Sequence, residues 1–585
     1  MNTAAVTLQR LTFPDIKIPN DDALYLHLTT KARLADGTVQ FNTGGCAHFD
    51  TYVNLFNLGN WAHFCRLEGL SLHLCGSGEF DLHVWHLFDG KNHTLIRQIL
   101  TLTPEGNTVV LDHTSGRGLV MFSLTARTQG HLTAGHFTAP QPAQVQPVTL
   151  ALVITTFQRQ ADIAATAARI AAHLDNPITL PGAHLFVIDN GRDVTLPAHP
   201  RLTLIPNRNL GGAGGFARGL AAAQDAGHFS HVLFMDDDAT FPLESLHRTC
   251  AFLALARDPA TAMVGAMLCA TRPWQLWENG AVFRKACRPM FNEFDLRDTA
   301  ALTAMEQSSA ADKPHGFYGG WWYFAFPLAQ VRHYPFPFFV RGDDVSFALS
   351  NPFRMATLNG VMSFQDDFAT KASPQTAYLD LRYHLHVHLV QDGMDLSRFG
   401  TASVALKLIV GSIMRMHYES AAAQLLSWAD ILRGPDMFTD EITMQNRRAT
   451  ITQLTQTERW QPCPARPSLS VRSAPTRFAS LVQKATLNGH LVPAFGRFGR
   501  SVVIPTAIRG KLWASLGAAQ ATCYDPSNQT AYTVHHDKAV FVRLMLKAGA
   551  LTLHWLWAHK HLRDSYRNSY DAMTSRAFWD RVLQD

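Results

Sequence analysis

The sequence predicts a multidomain α/β protein: an N-terminal β-sandwich of jelly-roll-like pattern, a central doubly wound α/β domain and a C-terminal helical domain. Three observations carry this. The chain has 585 residues, too many for one hydrophobic core. Up to about residue 137, apolar and polar residues alternate with period two between glycine turns, as in Leu70-Ser71-Leu72-His73-Leu74. From residue 148 the pattern changes to strand, helix, strand, and beyond about residue 388 it becomes alanine- and leucine-rich with helical periodicity. The expected domains are 1–147, 148–395 and 396–585.

In chain order, segments 70–74 and 80–85 read as half-buried strands of the sandwich. The proline-rich stretch 138–147 (TAPQPAQVQP) reads as a linker. LALVIT, HLFVID, LTLIPN and HVLFM then read as strands, with helices over ADIAATAARIAAHL and from about Phe216 to Ala226. Ligands of such sheets bind at the carboxyl ends of the strands. Four strands in succession end in polar residues here, at Thr155 and Thr156, Asp189, Asn207 and Asp236. VALKLIVGSIMRMHY and AAAQLLSWADIL supply the C-terminal helical pattern, followed by a polar, proline-containing stretch over 461–475. Near the end, 540–562 combines large apolar groups with Arg543, Lys547 and Lys560. It suits an interfacial amphipathic helix and a core-facing helix with solvated lysines equally well.

Composition excludes several classes. A net charge of +5 is too small for a general nucleic-acid binder. The 8 cysteines form no C-x-x-C pair and no zinc spacing, so free thiols in a reducing, cytoplasmic compartment are expected. Residues 1–21 contain no apolar core of signal-peptide length, and no uninterrupted apolar run reaches about 18 residues. If a membrane is met, the expectation is contact with its inner surface.

The chemistry concentrates in five places. Asp236, Asp237 and Asp238 close the apolar run 232–235, and like charges at a sheet edge demand a compensating cation or hydrogen-bond network. Mg²⁺ or Mn²⁺ fits, because hard cations take oxygen ligands and bridge to phosphate; a solvated turn is the plainer alternative. The glycine-rich segment after Asn207, with Gly211 and Gly212 and a helix carrying Arg218, suits close approach of a phosphate-bearing ligand. It matches neither the Walker arrangement nor the dinucleotide fingerprint. Together the two clusters read as a nucleotide-diphosphate site. Asp189 suits a ribose or base contact and a turn cap equally. Trp321 and Trp322 follow two glycines and offer a stacking surface for a sugar, or simply core; as a strand they would point to opposite sides. Asp343 and Asp344 follow another apolar stretch. Asp344 is the candidate general base, with Asp343 orienting the acceptor, while an N-cap for a helix starting near Val345 is the structural alternative.

FMDDDA, NRNLGGAGGFARG, GGWW and GDDVSFAL, in this order, resemble the bacterial galactofuranosyltransferases of glycosyltransferase family 2, which build galactan. DTYVNLFNLGNWAHF is similar to part of that family's N-terminal β-sandwich, and the resemblance covers most of the chain. It implies a GT-A type, inverting enzyme using a UDP-sugar donor, a divalent metal and a glycan or lipid-linked glycan acceptor. It implies metal ligation by Asp236 and Asp238, base catalysis by Asp344, acceptor contacts at Trp321 and Trp322, and nucleotide-sugar contacts at Thr155, Arg159, Asp189, Asn207 and Arg218. Arg382 falls on a family Tyr-x-x-x-Arg element that touches the diphosphate, though an ordinary ion pair is as common. Gln365 stands where the family places a metal-binding histidine, and Asp366 beside it is a substitute candidate. Transfer of another nucleotide-hexose into O-antigen or capsule, and a degenerate glycan-binding protein, are the alternatives. Self-association is left open.

Overall fold

The computed structural model describes residues 5–111, 116–176, 180–366, 371–465, 467–468 and 475–584. The N-terminal region is a ten-stranded sheet assembly organised by one 18-residue strand, Ser71–Phe88. Its first half pairs with Gly130–Pro140 and Asn107–Val110, its second with Leu119–Ala126 and Lys91–Leu102. Period-two alternation turns Leu72, Leu74, Phe80, Leu82 and Val84 into the core. The expected linker is partly strand, since Thr138 to Pro140 pair with Ala5 to Thr7.

The central sheet has nine strands. Leu150–Thr156 lies between His184–Asp189 and His231–Asp236, with Leu202–Pro206 at the edge, all parallel. Phe324–Pro327 then runs antiparallel and joins Thr261–Cys269, which pairs in parallel with Arg354–Gln365. Asp189 and Asp236 therefore arrive at one edge of the sheet, as the strand endings predict, and Gln365 ends its strand at the same edge. The adjoining helix begins at Gly211, five residues earlier than its periodicity suggests, so the glycines form its first turns. A Cβ on Gly215 would lie 2.3 Å from Thr155 Cγ2 and one on Gly219 2.1 Å from Val153 Cγ1; both glycines let the helix sit directly on the central strand.

The segment read as part of the sandwich, DTYVNLFNLGNWAHF, is its seam with the α/β domain. Asn57 Nδ2 donates to Glu306 Oε2 at 2.8 Å, and Asn60 Nδ2 to Ser309 Oγ at 2.7 Å and the Thr357 carbonyl at 3.0 Å. Arg248, fully buried, donates to the carbonyls of Val53, Asn359 and Arg10 at 2.8–3.0 Å. These bonds satisfy buried carbonyls on both sides, which is what lets one apolar core run across the seam.

The C-terminal region departs from an all-helical expectation. Arg398–Met414, Tyr418–Ile431, Lys538–Met573 and Arg576–Gln584 are helices, but a four-stranded sheet of Gln461–Pro462, Arg500–Pro505, Ala518–Asp525 and Thr530–His535 lies among them. Its strands are short and lie beside glycine and polar turns, so helical periodicity in the neighbours dominated the pattern. The polar stretch over 461–475 falls partly outside the described residues. Pro374–Val390 packs on Tyr418–Ile431, so the helical layer begins before residue 396. Lys538–Met573 combines both readings of its sequence. Phe541, Leu544, Trp555, Tyr566 and Tyr570 are buried, while Val542, Leu546, Leu553 and Trp557 are exposed among basic residues. Among the described residues it is the helix long and apolar enough to cross a membrane by length and composition; its buried face is engaged by protein.

Replacing Arg248 by Ala should cost about 3–5 kcal/mol, because three carbonyls and Glu244 lose a buried partner. Chemical denaturation measures this, and an unchanged midpoint would mean the seam does not depend on Arg248.

Candidate active site

Asp236 ends its strand and Asp237 and Asp238 begin the following turn, which an isolated bridge between Thr240 and Phe364 ties to strand Arg354–Gln365. That bridge sets Gln365 against the acids: its Nε2 donates to Asp236 Oδ2 at 3.1 Å and to Asp238 Oδ1 at 3.0 Å. Lys371 Nζ lies 3.1 Å and Arg159 Nη1 2.9 Å from Asp238 Oδ2, and Thr156 Oγ1 donates to Asp237 Oδ2 at 2.7 Å. The charges sort accordingly. Burial, with Asp238 adding, pushes Asp236 up to about 7. Burial would raise Asp238 too, but Lys371 and Arg159 outweigh it and hold its carboxyl below the usual range.

Among the described residues no group of three or more His, Cys, Asp or Glu side chains is placed to hold a metal ion. The set here is two carboxylates and an amide. Gln365 Oε1 is buried without a hydrogen-bond partner, and turning the amide end for end would bring this oxygen to the carboxylates in place of Nε2. Asp236, Asp238 and Gln365 then form an all-oxygen donor set, which fits a hard divalent cation. Asp366 is exposed and Asp367 lies outside the described residues.

The second acidic pair opens the helix Asp343–Ser350. Gly342, at φ 90°, is the N-cap, so neither aspartate caps the helix; both sit in its first turn, where the helix dipole favours negative charge. Burial pushes both up, Asp344 to about 6 with Arg341 opposing. A cavity of about 340 Å³ joins Asp236 to Asp343, Asp344, Trp321 and Trp322. The two indoles lie in a turn rather than a strand, yet belong to different core clusters, and both reach the cavity. Trp321 packs edge-on to Phe216 and Phe234, so its role as core and as cavity wall coincide.

Of the other expected contacts, Gly212 lines the cavity, while several side chains are held by local partners. Arg382 is buried between helices, donating to Met444 Sδ at 2.9 Å and to the Phe338 carbonyl, with its guanidinium over Tyr378 and Phe438. Its observed contacts are those of a packing residue. Asp189 accepts from the amides of Gly191, Arg192 and Val194 at 2.8–2.9 Å and is almost wholly buried, so it caps the turn. Asn207 Nδ2 donates to Asn190 Oδ1, which fixes the rim from behind. Thr155 packs on Gly215, and its neighbour Thr156 makes the contact to the acids. Arg218 is half-buried on the glycine-rich helix. Of the glycines, Gly212 faces Asp343, whereas Gly211 at φ +69° lies against the Phe339 carbonyl. The sequence reading missed Glu278. It ends strand Arg272–Glu278, lines the cavity and is pushed up to about 8 by burial with the Asp344 charge adding, so it is a neutral acid with an unpartnered Oε1. An acid closing a strand, the signal used for Asp236, would have found it.

The end of one parallel strand, the end of an antiparallel strand and the first turn of a helix thus deliver carboxylates to one tryptophan-walled cleft. The chain is similar to two curated proteins named Galactofuranosyltransferase GlfT2. The one from Mycobacterium tuberculosis is 26% identical over 480 residues, 74% of this chain and 73% of that protein. The one from Mycolicibacterium smegmatis is 25% identical over 424 residues, 66% of this chain and 64% of that protein, so the match spans a little under two thirds of its length. No family model matches the chain. Among solved structures, the mannosyltransferase PcManGT from Pyrobaculum calidifontis in complex with GDP-Man and Mn²⁺ aligns at 17% identity over 54% of this chain and 87% of that one. Its TM-score of 0.27 is too low to bear on the fold.

A Cβ on Gly211 would meet the Phe339 carbonyl at 2.0 Å, in a backbone conformation that disfavours side chains. Gly211→Ala should therefore cost roughly 1–3 kcal/mol in denaturation and shift the segment that carries Asp343 and Asp344. Wild-type stability in this variant would show that the contact yields without strain.

Proposed function

We propose that this chain is an inverting galactofuranosyltransferase that moves galactofuranose from UDP-galactofuranose onto a growing cell-surface glycan. The observation that carries the reading is the shared cavity: Asp236, Asp343, Asp344 and both tryptophans line one space. The two GlfT2 relatives support the choice of sugar.

Asp236 and Asp238, with Gln365, would hold the divalent ion, which when bound supplies positive charge against the diphosphate as it leaves. The remaining work belongs to side chains. Asp344 accepts the proton of the acceptor hydroxyl as its oxygen bonds to the anomeric carbon and the carbon–oxygen bond to the diphosphate breaks. Attack from the opposite face inverts the configuration. Asp343 orients the hydroxyl, Arg341 holds charge beside the base, and Trp321 and Trp322 exclude water from the sugar. Arg159 moves between its ion pairs and the donor.

A second reading has one observation in its favour: Gln365 donates to both Asp236 and Asp238, compensating them without metal, as a glycan-binding protein that has lost catalysis would. Metal-dependent hydrolysis of UDP-galactofuranose without acceptor separates the two, and its complete absence would favour binding alone. Products from a panel of nucleotide-hexoses test the sugar.

Asp344→Ala should lower turnover by roughly 10²–10⁴-fold while UDP affinity stays unchanged. Near-normal turnover would remove Asp344 from the role. Because its folded pKa is raised to about 6, the base stays ionised above that pH and is lost as pH falls through it. The kcat/KM profile, which reports the free enzyme, should therefore drop about tenfold per unit below about pH 6, and a flat profile down to pH 4 would contradict this. The exposed apolar residues of Lys538–Met573, with Arg543, Lys547 and Lys560, suit an anionic membrane surface on the cytoplasmic side. Leu553→Ser with Trp557→Ser should abolish co-flotation with anionic vesicles without changing solution activity. Flotation equal to wild type would exclude this face.

A further inference from the structure

The helix Arg477–Ala485 is packed inside out. Phe478, Leu481, Val482 and Ala485 recur at i, i+3, i+4 and i+7, the spacing of one apolar stripe. All four are exposed, Phe478 at 74% and Leu481 at 64%. The side turned to the protein is polar. Gln483 is buried and its Nε2 donates to the Leu512 carbonyl at 2.7 Å; beside it Asn488 Nδ2 donates to the Met414 and Ser515 carbonyls at 2.9 Å. Thr476 caps the helix start by accepting from the Ala479 amide. A surface helix of a globular protein ordinarily turns its apolar stripe to the core. This one is anchored by amides and presents the stripe to the outside.

The apolar patch continues beyond the helix. Leu491 and Phe498 are exposed on the segment that follows, which lies against the start of Lys538–Met573: the His490 ring is 5.0 Å from that of Phe541, and the Phe495 ring 5.1 Å from that of His536. Val542 and Leu546 are exposed on the next turns of the long helix. Of the 15 large apolar side chains exposed among the described residues, 9 fall between 478 and 557, on adjoining elements rather than scattered singly.

Charge segregates with them. Residues 475–524 hold 6 Lys and Arg and no Asp or Glu, and residues 538–563 hold 5 and none, whereas the rest of the chain sets 40 Lys and Arg against 46 acids. Arg509, Lys511 and Arg563 have partners in Tyr532, Glu293 and Asp395. Arg477, Lys484, Arg497, Arg500, Arg543 and Lys547 are exposed, with no carboxylate within ion-pair distance among the described residues. A second copy of the chain seated face to face on this patch would set cation against cation. A surface that is anionic at its face and apolar beneath complements both features.

We propose that Arg477–Ala485, with Leu491 and Phe498, is a lipid-inserting element that docks the C-terminal region on an anionic bilayer, its stripe below the headgroups and its cations among them. The element adds a second, separately testable anchor to the membrane contact proposed for Lys538–Met573, and it stands whichever sugar is transferred.

The test titrates the full-length protein by co-flotation with vesicles of phosphatidylcholine mixed with phosphatidylglycerol and, in parallel, of phosphatidylcholine alone. Phe478→Ser with Leu481→Ser should weaken binding to the mixed vesicles at least about tenfold, at an unchanged thermal midpoint because both side chains are exposed in the free protein. Phe478→Leu with Leu481→Phe should bind as wild type does. Lys484→Gln with Arg497→Gln should lower affinity for the mixed vesicles roughly fivefold or more and leave binding to phosphatidylcholine alone unchanged. Wild-type affinity after the paired serine substitution overturns the element, and wild-type affinity after the paired glutamine substitution overturns the choice of an anionic surface. An altered sedimentation coefficient with unchanged vesicle binding in the serine pair would assign the stripe to self-association instead. Leu553→Ser with Trp557→Ser reads the neighbouring helix separately. Loss of flotation there, with none in the Phe478 and Leu481 pair, defeats this proposal alone; the reverse outcome defeats the contact through Lys538–Met573 and leaves this element standing.

Discussion

Compensation of negative charge at one sheet edge is the constraint on which the site depends. Asp236, Asp237 and Asp238 cannot stay close and partly buried without opposing partners, and Gln365, Thr156, Arg159 and Lys371 supply them. Those partners come from two distant parts of the chain: Thr156 and Arg159 at and just after the end of the first central strand, and Gln365 and Lys371 at and beyond the end of strand Arg354–Gln365. The acids therefore hold the sheet edge together while remaining exchangeable, since each contact is a single hydrogen bond or an ion pair that a competing cation or anion can replace.

The second pair is handled differently. Asp343 and Asp344 gain their stability from the helix N-terminus and from Arg341, and burial keeps a proton within reach at neutral pH. Glu278 retains its own proton beside them. Individual carboxylates of the site thus differ in protonation because their surroundings differ, Asp238 held low by Lys371 and Arg159 and Glu278 pushed up by burial, the arrangement that lets carboxylates of one chemistry divide roles.

Much of this was legible in the sequence, for identifiable reasons. Strands ending in polar residues put Asp236 and Asn207 on one rim, because parallel strands share a direction. The two acidic clusters and the tryptophan pair meet because chain order places them on neighbouring strands and turns. What spacing does not encode is side-chain competition. Arg382 points into an aromatic cage between helices, Asp189 takes the turn-capping one of its two readings by accepting from three amides of its own loop, and Gly215 and Gly219 serve helix-to-strand packing against Thr155 and Val153. Glu278 was missed because it stands alone, without the repetition that drew attention to the other acids. The small C-terminal sheet was hidden by the strong periodicity of the helices around it.

The helix Lys538–Met573 has a geometric consequence. Tyr570, near its end, bonds Ser346 and Ser350 on the helix that begins with the acidic pair, while Leu546, Leu553 and Trp557 stand in solvent further back. An α-helix rises about 1.5 Å per residue, so the span from Trp557 to Tyr570 acts as a strut of roughly 20 Å. On the proposed membrane reading, that strut would set the standoff between the acidic pair and the lipid plane, so the reach of a tethered acceptor, more than its composition, would decide which of its ends can enter.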